Sequence, residues 1–273
     1  MTKLILLIFL GTFYVRAEIP LVLHRVFLEG EQAFRNQSSL AAQWHDWCVA
    51  LHPHWEHMFW DKTMADELVQ SKFPWFFDTR ESYDRIVERG DAMRQMVLHE
   101  HGGLYLDLDI QCVQPADVFL AGNDVVVQGS DFRSEVVHQA AIASKQHEPL
   151  LIQMLELMVQ RQREDPPRYP PGFDSVIYKT GPGIVRAVLE DVLDVDDLLP
   201  ETPVGVDGSI TYNRNSSQVK IYDHAHWYVL IWGPGPSNLG LEKHHHHLSH
   251  GDFPRTYAGF HHGRGSWAKN API

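Results

Sequence analysis

A pair of glycines followed by an apolar segment with two aspartates is the feature that most restricts the fold of this chain. Gly102 and Gly103 end a run with helical periodicity, and the residues from Leu104 onward have the pattern of a buried strand. Alternation along that strand predicts one face with Leu104, Leu106, Leu108 and Ile110 and another with Tyr105, Asp107 and Asp109. Buried carboxylates are costly unless they are paired or bind a metal. The segment therefore predicts a hard-oxygen site for a divalent cation.

Strand and helix patterns alternate along the rest of the chain. The predicted strands are residues 19–27, 57–60, 124–128, 219–222 and 227–232, and the predicted helices are residues 39–51, 64–70, 82–101, 138–144, 149–163 and 183–192. This alternation predicts an α/β fold with a mainly parallel central sheet and helices on both faces. Because no linker divides the chain, residues 18–273 are predicted to be a single domain.

The charge balance restricts the kinds of partner. The 273 residues include 23 Lys and Arg against 35 Asp and Glu, which gives a formal net charge of -12. Non-specific nucleic-acid binding needs a basic surface, so a nucleic-acid partner is not expected. A phosphorylated ligand would have to be bound together with a cation.

The N-terminus has the pattern of a targeting segment. Lys3 precedes an apolar run over residues 4–15, and Val15-Arg16-Ala17 resembles a signal-peptidase site. The run is shorter than the roughly 20 residues that span a bilayer. Residues 1–17 are therefore predicted to be a cleaved signal peptide, with a short signal-anchor and membrane association as the alternative. Either predicts the secretory pathway, in the lumen of the Golgi or endoplasmic reticulum or beyond it.

Entry into that pathway would allow two modifications. Asn36 and Asn215 begin triplets that could be N-glycosylated, although such triplets also occur by chance. Cys48 and Cys112 could form a disulfide in an oxidising compartment, and two buried free thiols are the alternative.

Two charged residues precede the glycine pair on the same predicted helix. Asp91 and Arg94 are three residues apart and lie on one helical face. They could form a surface ion pair of little energetic weight. If that face borders the aspartates, the carboxylate could bind sugar hydroxyls or a base edge, and the guanidinium could bind phosphate.

Gly90-Asp91-Ala92-Met93-Arg94 and the later string from His101 to Asp109 together resemble the DxD-type glycosyltransferases, most closely glycosyltransferase family 32. Ile19-Pro20 to His24, Thr180-Gly181-Pro182, and the stretch from Tyr257 to Trp267 resemble three further family segments in the same order. The resemblance covers about residues 19 to 267. Gly90, Gln95 and Arg25 depart from the more usual family residues.

The resemblance implies a GT-A type fold and a retaining hexosyltransferase that uses Mn²⁺ or Mg²⁺. It implies metal ligands among Asp107, Asp109, His261 and His262, with His261 preferred over His262. It implies donor contacts from Asp91, Arg94, Tyr105, Asp107, Ser266 and Trp267. The donor would be GDP-mannose or a UDP-sugar, with mannose slightly favoured, and the acceptor a glycolipid or another glycan. The sequence identifies no catalytic base.

Two other functions fit the same residues. One is a nucleotide-sugar-binding protein of the same fold without turnover, and the other is a metal-dependent hydrolase that uses the paired carboxylates. His244 to His247 could also bind a metal adventitiously, but residues 233–250 are better interpreted as a solvated loop.

Overall fold

The structure is a computed structural model that describes residues 18–129, 137–164, 173–194, 209–214, 217–222, 228–230 and 259–261. The predicted targeting segment and the histidine-containing loop lie outside these residues. The strands are β1 (Val22–Val26), β2 (Glu56–Trp60), β3 (Gly103–Leu106), β4 (Ile110–Cys112), β5 (Val125–Gly129), β6 (Val137–Ser144), β7 (Ser209–Arg214), β8 (Ser217–Tyr222), β9 (Tyr228–Leu230) and β10 (Gly259–His261). The helices are α1 (Glu31–Gln37), α2 (Ser39–Leu51), α3 (Lys62–Lys72), α4 (Phe77–Glu81), α5 (Ile86–His101), α6 (Asp117–Leu120), α7 (Pro149–Gln162), α8 (Phe173–Lys179) and α9 (Pro182–Leu193), with a 3₁₀ turn at Pro74–Phe76.

A central seven-stranded sheet organises the fold in the order β2-β1-β3-β6-β5-β8-β7. The pairs β1–β2, β1–β3 and β5–β8 are parallel, and the pairs β3–β6, β5–β6 and β7–β8 are antiparallel. A second sheet has the order β4-β10-β9. The α/β class is confirmed, and the central sheet is mixed, with as many antiparallel as parallel pairs, where a mainly parallel one was expected.

The two faces of the central sheet contribute to different hydrophobic cores. Tyr105, Val127 and Ile142 face a core that includes side chains of α5, α7 and α9. Leu104 and Leu106 face the opposite core, which includes side chains of α2 and α6. Helices therefore cover both faces, as predicted, and the predicted alternation of Leu104, Tyr105 and Leu106 is confirmed.

The reversed strand β6 was predicted to be a helix over residues 138–144, and that prediction is wrong. All eight residues of β6 are buried. A central strand that is covered on both faces loses its polar alternation, so its sequence resembles that of a buried helix. β6 is one of two strands that make the sheet mixed, because it runs antiparallel to both β3 and β5; the other is β7, which is antiparallel to β8.

Helix α5 begins later than the predicted range of 82–101. The Ser82 hydroxyl donates to Thr79 O (2.7 Å), so Ser82 closes the preceding helix instead of capping α5. The Glu88 carboxylate accepts the backbone N–H of Arg85 at 3.1 Å and satisfies a donor at the true start. Asp91 and Arg94 remain inside the helix.

The two glycines between α5 and β3 are required by their backbone conformation and by close neighbours. Gly102 and Gly103 have φ angles of 64° and 96°, which L side chains rarely adopt. A Cβ on Gly102 would lie 2.6 Å from Cδ of Pro20, and one on Gly103 would lie 2.5 Å from the carbonyl oxygen of Val22. The glycine pair therefore lets the helix turn directly into a strand that pairs with β1.

Cys48 and Cys112 form a disulfide with a Cα–Cα distance of 5.1 Å. It joins α2 to β4, the strand that follows the two aspartates. Among the described helices, none has the length and apolar character needed to cross a bilayer.

Candidate active site

The two aspartates lie in a turn at the carboxyl end of β3. β3 ends at Leu106, and the N–H of Ile110 donates to the carbonyl of Asp107 at 3.0 Å, which closes a four-residue turn before β4. The prediction that Asp109 continues the face of the strand is wrong, because the chain turns there, whereas Asp107 stays on the side of Tyr105, whose hydroxyl donates to its carboxylate. Leu108 packs against a third cluster around Phe34 and Trp44, away from Leu104 and Leu106. The turn leaves both aspartates half-buried at the edge of the sheet.

Arg25 holds the backbone of this turn from β1. Its Nη1 donates to the carbonyl oxygens of Leu106 (3.1 Å) and Asp107. The Arg25 side chain is almost fully buried. A buried cation needs compensating polar partners, and the carbonyl oxygens of Leu106 and Asp107 supply them. These bonds hold the backbone of the turn, and Arg25 thereby fixes the position of the two aspartates.

Asp91 and Arg94 form a buried pair behind the turn, on the α5 face that packs against the sheet. Arg94 Nη1 lies 3.2 Å from Asp91 Oδ1, and both side chains are almost inaccessible to solvent, at 6% and 5% exposure. The Thr180 hydroxyl, one residue before the N-cap of α9, donates to Asp91 Oδ2 at 2.8 Å. Gln139 on β6 also hydrogen-bonds Asp91. Asp91 and Arg94 therefore form a buried ion pair, and the alternative of an exposed surface ion pair is excluded.

Arg94 connects this pair to the aspartate turn. Its Nη2 donates to Asp107 Oδ1 at 2.9 Å, and the Tyr105 hydroxyl donates to the same oxygen at 2.8 Å. The guanidinium carbon lies 4.6 Å from the centre of the Tyr105 ring, a cation–π contact. Tyr105 and Arg94 therefore orient the Asp107 carboxylate from two directions.

Burial sets the ionisation of this cluster. It raises the pKa of Asp91 to about 7, although the Arg94 charge and the Thr180 hydroxyl act in the opposite direction. Burial alone would lower the pKa of Arg94, but the nearby Tyr105, Asp107 and Asp91 raise it above its ordinary value. Burial also raises the pKa of the Tyr105 hydroxyl, which therefore stays protonated and donates to Asp107.

His24, as a neutral side chain, fixes the amino end of β3, opposite the aspartate turn. Trp60 Nε1 donates to His24 Nδ1 at 3.0 Å, and His24 Nε2 lies 2.8 Å from the carbonyl oxygen of Gly102. This pattern requires the tautomer with hydrogen on Nε2. Burial lowers the pKa of His24 to about 4. The family-like segment that ends at His24 thus has a structural explanation: it joins β1, β2 and the glycine turn.

The last described strand brings one predicted metal ligand to the aspartates. β10 pairs antiparallel with β4, and His261 lies opposite Ile110, the residue after Asp109. The predicted residues His262, Ser266 and Trp267 lie outside the described residues. The backbone of β10 therefore lies beside the strand that follows the aspartates, and a metal-ligating role of His261 stays a prediction.

The residues at the turn fit a divalent cation of the Mg²⁺ or Mn²⁺ kind. Among the described residues, both hydrogen bonds that Asp107 accepts from side chains end at Oδ1, which leaves Oδ2 available to a cation. Asp109 adds a second half-buried carboxylate two residues away. Carboxylate oxygens are the ligands that these hard cations prefer. The donor set therefore agrees with the predicted cation.

Three residues of the site were missed or given no role by the sequence. Arg25 stood only as a departure from the family pattern, Thr180 only as part of a motif, and Gln139 inside a segment taken for a helix. Polar residues within apolar strands, such as Arg25 and Gln139, were the signal that could have marked them, because a buried polar side chain needs a partner.

Comparison with known proteins matches residues 39–126 to the glycosyltransferase sugar-binding region containing a DXD motif. Mannosyl phosphorylinositol ceramide synthase CSH1 of Saccharomyces cerevisiae is 32% identical over 117 residues, which cover 41% of this chain and 29% of the relative. Inositol phosphoceramide mannosyltransferase 2 of Schizosaccharomyces pombe is 30% identical over 202 residues, which cover 68% of this chain and 54% of the relative. The chain thus spans about half, or less, of the length of these relatives.

Among solved structures, the PaToxG glycosyltransferase is similar with a TM-score of 0.48 and 15% identity, over 64% of this chain and 69% of that one. The family match over residues 39–126 includes the buried pair on α5 and the aspartate turn. By its family match over residues 39–126 and by its curated relatives, the chain is similar to the DXD-motif glycosyltransferases of the family 32 type.

Proposed function

We propose that this chain is a metal-dependent, retaining glycosyltransferase that transfers a hexose from a nucleotide sugar to a glycolipid. The observation that carries the proposal is the continuous contact from Asp91 through Arg94 to Asp107. This contact fixes the Asp107 carboxylate at the carboxyl end of β3, next to a second carboxylate at Asp109. An arrangement of this kind suits a ligand that carries phosphate and a cation together.

Asp107 Oδ2, Asp109 and His261 are the residues that would hold the cation. When bound, Mn²⁺ or Mg²⁺ supplies a Lewis acid that stabilises the diphosphate leaving group. The contribution of the chain is to fix Asp107. The Tyr105 hydroxyl and the Arg94 guanidinium both bind Oδ1, so the carboxylate keeps one orientation and presents its other oxygen.

The roles of Asp91, Arg94 and Tyr105 are proposed to be mainly positional. Their side chains are buried and contact one another in the structure. Direct contact of these three side chains with the donor stays a prediction, as do the donor contacts of Ser266 and Trp267. The guanidinium also keeps one positive charge beside two carboxylates, which moderates their mutual repulsion.

The names of the curated relatives support mannose as the sugar and inositol phosphoceramide as the class of acceptor. The proposed donor is therefore GDP-mannose, with UDP-sugars as the alternative to be tested. Retention of the anomeric configuration follows from the family resemblance. We assign no catalytic base, and front-face substitution, in which the leaving phosphate takes the proton of the acceptor, is consistent with that.

The compartment proposed is the secretory pathway, in the Golgi or endoplasmic reticulum. The Cys48–Cys112 disulfide supports it, since such bonds persist mainly in oxidising compartments. Membrane association would come from the N-terminal segment if that segment is kept as a signal-anchor. N-glycosylation at Asn36 is compatible with its exposed position at the end of α1.

The decisive experiment combines donor binding with transfer. The protein is titrated calorimetrically with GDP-mannose, UDP-galactose and UDP-N-acetylglucosamine, with and without Mn²⁺, and transfer to inositol phosphoceramide is followed by mass spectrometry. We expect one donor to bind only with the cation and mannosylated lipid to form. Asp107→Asn and Asp109→Asn should each abolish transfer, because each removes a charged ligand.

Asp78→Asn is the matched control, since Asp78 is an exposed aspartate on α4. It should leave binding and transfer unchanged. Binding of a donor without transfer to any acceptor would favour the nucleotide-sugar-binding alternative, and release of free sugar independent of acceptor would favour a hydrolase. Full transfer by both aspartate variants would refute the metal assignment.

A further inference from the structure

A second group of metal-ligating side chains lies at the other end of β3 from the aspartate turn. His99, Glu100 and His147 each offer one ligand atom, and these atoms all lie within 4.8 Å of one another. The first two residues belong to the last turn of α5, and the third lies in the turn between β6 and α7. The three residues are hereafter called the His-Glu group.

The sheet register separates this group from the active site. Gly103, where β3 begins, pairs with Ser144, three residues before His147, whereas Leu106, where β3 ends, pairs with Ala141. The strand between them is four residues long, or about 10 Å at about 3.3 Å per residue. A cation at the His-Glu group would therefore not share ligands with Asp107 or Asp109.

The backbone around the group is already fixed. The N–H of His147 donates to the carbonyl of His99 at 2.8 Å, and the Gln146 side chain donates to the carbonyl of Glu100 at 2.6 Å. The rings of His99 and His147 have centroids 5.3 Å apart. Two ligands about 2.1 Å from a tetrahedral cation are about 3.4 Å apart, so side-chain rotations that bring the ligand atoms closer by at most about 1.4 Å would close the group.

Two further observations point to a positive ligand. His99 Nδ1 is buried and, among the described residues, has no hydrogen-bond partner. A buried nitrogen without a partner is costly, and coordination through Nδ1 would remove that cost. The group also lies at the C-terminal end of α5, where the negative end of the helix dipole favours a cation.

Lys72 at present supplies part of that charge. Its Nζ lies 2.7 Å from Glu100 Oε1. Because this contact uses one carboxylate oxygen, the other can turn toward the histidines. The amine and a metal ion would compete electrostatically at this carboxylate.

We propose that His99, Glu100 and His147 bind a divalent cation of the zinc type and thereby join the end of α5 to the turn before α7. Two imidazoles and one carboxylate suit zinc and neighbouring transition metals, whereas Mg²⁺ prefers oxygen ligands alone. The proposal is independent of the proposed transferase activity, since it uses none of the residues assigned to that activity.

The test is titration of the chain with Zn²⁺, and with Co²⁺ for its visible spectrum, in an excess of Mg²⁺ as the competing hard cation. His244 to His247 are first replaced by serine, because the tract could bind these metals adventitiously. We expect one equivalent to bind, a tetrahedral Co²⁺ spectrum, and a higher thermal unfolding temperature with Zn²⁺.

His147→Asn is the main variant, since His147 is exposed and has a φ of 57°, which asparagine tolerates. It should weaken Zn²⁺ binding by at least about 10- to 100-fold, the loss typical of even an outer-sphere partner. His99→Gln should do the same, and Lys72→Met should strengthen binding. Asp107→Asn is the control and should bind Zn²⁺ unchanged.

Unchanged Zn²⁺ affinity in both histidine variants would overturn the proposal, as would failure of the tract-substituted parent to bind Zn²⁺. Loss of binding in Asp107→Asn alone would assign the zinc to the active site instead. These outcomes could still be interpreted if the transferase proposal failed, because metal binding and thermal unfolding are measured without turnover.

Discussion

Removing the disulfide between α2 and β4 should lower the free energy of unfolding by about 4 kcal/mol. The two cysteines are 64 residues apart. Cross-linking a loop of that length removes about 14 to 15 cal/mol/K of entropy from the unfolded chain, or about 4 kcal/mol at 25 °C. The change to make is the pair Cys48→Ala and Cys112→Ala. Both sulfurs are buried, and replacement by alanine keeps the site apolar.

The measurement is urea unfolding followed by tryptophan fluorescence, which is available because the chain has 8 Trp. The double variant should unfold at lower urea than the oxidised parent with a similar slope, since about the same surface is exposed. Full reduction of the parent should bring it close to the variant. Reductant should leave the variant itself unchanged.

A double variant within about 1 kcal/mol of the oxidised parent would refute this reasoning, because it would mean that the unfolded chain is not restrained by the bond. A loss much larger than about 5 kcal/mol would refute it too, and would show that the bond also supports the packing of β4. Calorimetric donor binding at low temperature, where both forms are folded, would separate stability from the geometry of the aspartate turn.

Three further changes test other parts of the structure. Arg94→Met should lower the free energy of unfolding by about 3 to 5 kcal/mol, because it leaves Asp91 buried without its counter-charge, and the double variant with Asp91→Leu should recover part of that loss in the same urea assay. Since burial lowers the pKa of His24 from 6.5 to about 4, its contribution to the free energy of unfolding is full above about pH 6.5 and falls by up to about 3 kcal/mol as the pH drops toward 4. His24→Gln should lose that part of the pH slope, whereas His45, whose pKa burial also lowers to about 4, keeps its own part. Gly103→Ala should unfold at markedly lower temperature in a thermal scan, since its Cβ would lie 2.5 Å from the Val22 carbonyl, whereas Gly90→Ala meets nothing within 4 Å and should be neutral or stabilising.

Local patterns predicted the elements that expose one face. The bounds predicted for α2 agree with the structure, because its apolar spacing is regular and Ser38 accepts the N–H of Ala41 as a cap. The same method failed for β6, because its residues are buried on both faces and its sequence does not alternate between apolar and polar residues with a period of two. It also extended β3 through Asp109, since a leucine between two aspartates continues a strand pattern even where the backbone turns.

The site was predictable where its residues are close in sequence. Asp91, Arg94, Tyr105, Asp107 and Asp109 lie on one helix, the strand that follows it and the turn that ends that strand, so their proximity could be inferred. Arg25 and Gln139 could not be placed, because their partners depend on which strands become neighbours of β3. That information comes from the pairing of β1 and β6 with β3, which is set by tertiary packing.

The origin of the site in separate parts of the chain has a consequence for how this activity can spread among proteins. The segment common to the family, residues 39–126, carries the aspartates but lacks Arg25, Gln139, Thr180 and His261. Grafting that segment alone onto another scaffold would transfer the aspartates with Arg94 and Tyr105, but without the groups that hold the backbone of the turn and the Asp91 carboxylate. Recombination should therefore exchange the domain as a whole, and a DxD motif met in isolation is weak evidence that this chemistry came with it.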